Sequence, residues 1–180
     1  IENLFSFGDR KEFTTIPNNK LKTLNHHKYD FDGFKILKTS SIYGANGAGK
    51  SNLIKSLQLF QKLIIKEEIP FKLKDTQFKF NSPSNNGKQT FAIEFIQEGT
   101  PFYYGIELLN NIISTEELYI SGLGKAKDEL IYERKTTEDE ITTISFLEDF
   151  ENDEKSQILK SVLLEEFVKP NEPVLKLNRT

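Results

Sequence analysis

The chain has no cysteine, no methionine and no tryptophan. Without thiols there can be no disulfides and no thiolate metal centre, although this alone does not fix the redox compartment. Histidine occurs only twice, as the neighbours His26-His27 in a polar, lysine-bearing stretch, and a solvated loop accounts for them better than a metal or phosphate site. No apolar run approaches the about 18 residues that a membrane helix needs, and no signal peptide is visible, so neither a membrane nor export is expected. A strong excess of one charge is also lacking. Net charge is −3, so bulk electrostatics do not announce a nucleic-acid binder. A chain that starts at Ile1 and holds no methionine is expected to be a piece of a longer translation product.

What is present begins with size. The 180 residues are 37% apolar and 28% charged, enough for one soluble domain with its own core. The organising stretch is Gly44-Ala45-Asn46-Gly47-Ala48-Gly49-Lys50-Ser51, which fits the phosphate-binding loop G-x-x-x-x-G-K-[ST] without a mismatch. Upstream, Thr39-Ser40-Ser41-Ile42-Tyr43 is short, β-branched and aromatic, as a buried strand should be. Downstream, Leu53, Leu57, Phe60 and Ile64 recur at helical spacing, with Lys55, Lys62 and Lys66 off that face.

The chemistry requires this order of elements. A helix start offers unpaired backbone N–H groups and the positive end of its dipole to a phosphate anion. Glycines let the loop curl so that several N–H groups point inward. Lys50 would reach the β- and γ-phosphates of ATP, and the Ser51 hydroxyl would be a Mg²⁺ ligand. The nucleotide-binding set is therefore Gly44, Ala45, Asn46, Gly47, Ala48, Gly49, Lys50, Ser51 and Asn52, with Lys50 also the catalytic residue and Ser51 the metal ligand. A nucleotide site without an export signal makes the cytoplasm the expected compartment.

Taken in order, residues 1–7 read as a strand and residues 11–16 as its return across the turn Gly8-Asp9-Arg10. Residues 17–30 read as a polar loop, and 34–43 as the strand entering the glycine loop. A helix is predicted over 52–66, ended near Ile69-Pro70. Residues 81–88 read as a flexible loop. From about 90 to 147, alternating runs separated by Glu98-Gly99, Asn110-Asn111 and a lysine-bearing glycine turn predict an antiparallel meander. A last helix is expected over about 152–169, capped by Asn152 and stopped by Pro170. The fold class is thus mixed α/β (α+β): a P-loop NTPase with an antiparallel meander after its P-loop helix.

That order sorts the P-loop proteins. Ras-like and RecA-like domains continue as alternating helix and parallel strand, whereas a hairpin before the loop and a meander after it resemble lobe I of ABC-type ATPase heads in the RecF, SMC and Rad50 group. Asn46, Gly47 and Lys50-Ser51-Asn52-Leu53 are what such heads show. More narrowly, Ile1-Glu2-Asn3-Leu4-Phe5-Ser6-Phe7 is similar to their opening strand. The run from Ile42-Tyr43-Gly44 to Ser51-Asn52-Leu53 resembles the P-loop of AAA15-type ATPases. Phe91 to Phe95, Tyr103-Tyr104-Gly105-Ile106-Glu107-Leu108, Glu116-Glu117-Leu118-Tyr119 and Ile131-Tyr132-Glu133-Arg134 resemble that family's meander. The similarity covers most of the chain, and its P-loop part is the specific one.

The family is related to the ATPases of OLD nucleases and supplies ATPase subunits to anti-phage systems of the PARIS, Abi and Septu types. Membership implies ATP and Mg²⁺ as cofactors, head-to-tail homo-oligomers that sandwich ATP, and an effector nuclease as partner. It also implies DNA or a phage-derived trigger as a further partner, and no membrane. It implies a signature loop and a Walker B strand as well. Ile120-Ser121-Gly122-Leu123-Gly124-Lys125 and Ile144-Ser145-Phe146-Leu147-Glu148-Asp149 are only partial look-alikes of these. The second lobe, with Q-loop, signature and Walker B residues, is therefore expected beyond Thr180, and half a site should bind nucleotide but barely turn it over.

Two rival readings stay open. One is a RecF- or Rad50-like repair or chromosome-maintenance ATPase, which in the Rad50 or SMC case would carry sustained heptads that this chain lacks. The other is a non-catalytic scaffold that uses ATP only to assemble. A GTPase is disfavoured because no N-K-x-D motif follows the loop; Asn18-Asn19-Lys20-Leu21 lies upstream and lacks the aspartate. Lys20, Lys22, Lys28 and the lysines near Gly124 read as solvated rather than as phosphate contacts.

Overall fold

The structure, a computed structural model, describes residues 1–18, 20, 23–66, 69, 73–80, 87–147 and 153–175. Its main element is a five-stranded antiparallel sheet in simple meander order: β3 (Gln89–Gln97), β4 (Thr100–Leu109), β5 (Ile112–Ile120), β6 (Glu129–Thr136) and β7 (Thr142–Phe146). The connections β3–β4 and β4–β5 are two-residue turns with positive φ at both central residues, Glu98 and Gly99, then Asn110 and Asn111. Such turns match the right-handed twist of the strands they join.

Period-two alternation sets the inner face. Phe91, Tyr104, Leu118 and Tyr132 share it with Ile106, Leu108, Ile113 and Ile144, and all are buried. One helix, α1 (Lys50–Lys66), covers part of this face. Phe60 of α1 stacks on Phe91 at 5.5 Å and lies 6.0 Å from Tyr104. The inward stripe of α1 is Ser56, Leu59, Phe60 and Leu63, the i, i+3, i+4, i+7 pattern. Leu57, expected on that stripe, is instead 48% exposed beside Ile54, because α1 is apolar on a second side as well.

Before α1 lies a hairpin whose first strand falls largely in the expected polar loop and whose second is the opening part of the strand expected over 34–43. Strands β1 (Lys28–Phe31) and β2 (Phe34–Leu37) pair antiparallel through a turn at Asp32 and Gly33, both at positive φ. An Asp-Gly pair flanked by Tyr29, Phe31, Phe34 and Ile36 is the sequence signal for it. Two expected strands are corrected. Residues 1–7 and 11–16 form no ladder; the first makes only isolated bridges, Glu2 to Thr90 and Leu4 to Phe7. Asn3 (φ 52°) and Phe5 (φ 50°) interrupt any extended run there, while Leu4 is fully buried in the core. Residues 39–43 also belong to no sheet, since no strand among the described residues lies beside them, and a strand without a neighbour gains no ladder bonds.

The last helix, α2 (Glu154–Val162), is capped by Asp153, whose carboxylate accepts from the Ser156 N–H at 2.9 Å. Asn152, the expected cap, lies outside the described residues. A π-helical turn, Leu163–Phe167, ends the helix before the expected 169. The chain then crosses the inner face of the sheet, with Pro173 and Val174 buried there.

Candidate functional site

The glycine loop runs from Gly44 into the first turn of α1, so Lys50 and Ser51 open the helix as the motif requires. Gly47 (φ 81°) and Gly49 (φ 88°) both take left-handed backbone, which L side chains adopt at a cost. A Cβ on Gly47 would meet open space, so glycine serves conformation at that position. Inside the loop the Ala48 N–H donates to Ala45 O at 3.2 Å, closing the curl. The Lys50 ammonium donates to Gly44 O at 2.6 Å and Ala45 O at 2.7 Å, which holds it against the start of the loop. Ser51 is exposed at the helix start, and Asn52 follows half-buried.

This donor set suits a triphosphate and its Mg²⁺. The loop supplies backbone N–H groups, a cation and one hydroxyl. Among the described residues no group of three or more His, Asp or Glu could hold a metal unaided. Mg²⁺ bound through phosphate oxygens, water and a single serine needs no such group.

The look-alike elements fare differently. Residues 120–125 lie at the β5–β6 connection and spend donors on the turn itself and on the neighbouring Glu94 and Asp128. The Gly122 N–H donates to Asp128 Oδ1 at 2.8 Å, the Leu123 N–H to Ser121 Oγ at 3.1 Å, and Ser121 Oγ–H to Glu94 Oε1 at 3.0 Å. A Cβ on Gly122 would collide with the Ala126 backbone, so the glycine is required by this turn. Ile144 is buried on β7, and Glu148 and Asp149 lie outside the described residues. So does Lys22, while His26 and His27 sit exposed in a short 3₁₀ turn with rings 4.2 Å apart.

A second polar centre escaped the sequence reading. Glu116 on β5 and Arg134 on β6 are cross-strand partners on the inner face, both fully buried, 3.4 Å apart. Glu116 Oε1 accepts from the Tyr104 hydroxyl at 2.9 Å and the Tyr132 hydroxyl at 2.8 Å, and the carboxylate also accepts from the N–H groups of Val174 and Leu175. Arg134 donates to Glu172 O and Lys169 O, each at 2.6 Å, and to Thr136 Oγ1 at 3.2 Å. The pair therefore grips the backbone of residues 169–175. Burial and then the Glu116 charge push both tyrosine hydroxyls well above their usual range, while burial lowers Arg134 against the opposing pull of Glu116. The available signal was Glu116 and Arg134 standing two residues from Leu118 and Tyr132, at inward positions of adjacent strands.

A glycine loop opening a helix packed on a mixed α/β core defines a P-loop nucleotide-binding domain. A family model described as "AAA domain, putative AbiEii toxin, Type IV TA system" matches residues 40–166, well over half of the chain. The chain belongs to this P-loop ATPase family. No curated protein and no solved structure gives a significant match. Among the described residues, no helix is long and apolar enough to cross a membrane.

Proposed function

We propose that the chain is lobe I of an ABC-type ATPase head of the RecF, SMC and Rad50 group, related to the AAA15-type and OLD-like ATPases of anti-phage defence. Nucleotide-driven pairing of two heads switches an effector nuclease. The observation that carries the reading is the surface around the loop. Tyr43 is 90% exposed and Ile42 40%, and the second apolar side of α1 presents Ile54 and Leu57. Apolar surface gathered beside a phosphate loop fits a site completed by a second body, as in an ATP sandwich. The toxin description of the family supports a defence setting.

In this reading Gly44 to Ser51 bind and orient the phosphates. Lys50, now held on the loop carbonyls, would be the cation for the β- and γ-oxygens of a bound triphosphate, and Ser51 would hold Mg²⁺, which would supply charge neutralisation on the transferring group. The group that activates water and the sensor of the γ-phosphate would come from Walker B and signature elements, of which residues 144–149 and 120–125 are only partial look-alikes. The test is sedimentation of the intact protein with Mg²⁺ and ATPγS, a slowly hydrolysed analogue. Self-association that appears with ATPγS and is absent from Lys50→Ala is expected. An oligomeric state indifferent to nucleotide contradicts the switch.

A further inference from the structure

The N-terminal turn, which lies outside the family match, is built with more constraint than a surface connection needs. Two non-glycine residues, Asn3 and Phe5, hold left-handed backbone. Asn3 is 5% exposed and is pinned at both ends of its amide: Nδ2 donates to Lys88 O at 2.9 Å and Oδ1 accepts from the Phe78 N–H at 3.2 Å. Leu4 is buried in the core, its N–H bonded to Phe7 O at 2.9 Å, and the Phe5 N–H donates to Thr76 O at 2.6 Å. Strain at two positions separated by a single residue persists only where the surroundings over-determine it, and such strain clusters at ligand clamps. The tip of this turn faces the phosphate loop. A Cβ on Gly49 would lie 2.9 Å from Ser6 Oγ and 3.6 Å from the Phe7 ring. Ser6 itself is exposed, and no hydrogen bond within the described residues occupies its hydroxyl.

We propose that the turn of residues 4–7 is a second wall of the nucleotide site, with the Ser6 hydroxyl donating to a phosphate oxygen of the bound nucleotide and the Phe7 ring backing Gly49. The inference rests on the P-loop reading above and extends it to a segment 43 residues upstream of Gly49. The strained backbone fixes the hydroxyl before nucleotide arrives, so little ordering cost falls on binding. Gly49 then has two reasons to be glycine: its φ, and the space that Ser6 takes.

The experiment is calorimetric titration of the chain with Mg²⁺ and ATPγS, comparing Ser6→Ala, Ser6→Thr, Ser6→Glu and Lys50→Ala. Ser6→Ala should weaken binding about fivefold and Ser6→Glu at least about tenfold, through loss of a charge-assisted bond and then added repulsion. Ser6→Thr, which keeps the hydroxyl, should bind within about twofold of the parent. The Ser6→Glu loss should shrink as salt rises, a response that a merely structural role would not give. Ser6→Ala and Ser6→Glu both binding within twofold of the parent, while Lys50→Ala loses binding, overturns the second wall and leaves the P-loop reading intact. Lys50→Ala binding like the parent overturns the P-loop reading itself.

Discussion

The protein has two polar centres built on opposite plans. The glycine loop is contiguous in sequence and open to solvent, and its lysine rests on carbonyls of its own loop. The Glu116–Arg134 pair joins neighbouring strands, lies fully buried, and spends its contacts on tyrosines, on Thr136 and on the backbone of residues 169–175. A centre that must exchange a ligand keeps its charge where water can replace the partner. A centre that holds a chain in place buries its charges, and those charges then need fully matched neighbours. The difference predicts that stability lives at one centre and ligand affinity at the other.

The sharpest way to break this contrast is Arg134→Ala. Removing one member leaves the Glu116 carboxylate buried without its cation and frees Lys169 O and Glu172 O. A loss of about 3–5 kcal/mol is expected in urea unfolding, a large share of a domain's total stability. A loss below about 1 kcal/mol would mean that water reaches the pair and that residues 169–175 are held by apolar packing alone.

A much smaller effect is expected one residue away, on the other face of the same sheet. Glu117 lies directly opposite Glu133 across β5 and β6 and accepts from the Tyr103 hydroxyl. Burial raises the Glu117 carboxyl; the Tyr103 hydrogen bond opposes this, and the Glu133 and Glu107 charges add to the rise. Tyr103 is pushed up to about 12 by burial and then by Glu117. An acid whose folded pKa is raised gives stability that is full below its unfolded pKa and is lost as pH rises through the folded value. Glu117→Gln should therefore gain about 0.5 kcal/mol or less at neutral pH, with the gain vanishing as pH falls through the carboxylate range. Thermal melts across that range check the sign. Destabilisation at neutral pH would show that the charge is needed on this face.

The same division explains what could be read from the residues alone. The phosphate loop was legible because eight consecutive residues state both its geometry and its chemistry. The meander was legible because alternation along β3, β4 and β5 is local and two of its turns carry positive φ at residues suited to it. Strand β1 and its pairing with β2 were missed although Asp32-Gly33 announces them, because the surrounding lysines, histidines and asparagines read as a polar loop. Residues 39–43 carry strand residues, but a strand needs a neighbour, and pairing is a non-local fact. The α1 stripe was misplaced by one position at Leu57 because a helix apolar on two sides gives two valid periodic readings. Glu116 and Arg134 were hardest of all. Their meaning depends on cross-strand register and on residues 169–175 returning over the sheet, neither of which is visible in any window of sequence.

The most direct test of the account is a calorimetric titration of Mg²⁺–ATP into the parent chain and into Lys50→Ala, with the thermal midpoint of each measured alongside. The loop reading predicts saturable binding by the parent, weakened about a hundredfold by Lys50→Ala, with unfolding unchanged because, among the described residues, the lysine's ammonium hydrogen-bonds to carbonyls of its own loop. Equal ATP affinity in both proteins would contradict the assignment of the phosphate loop.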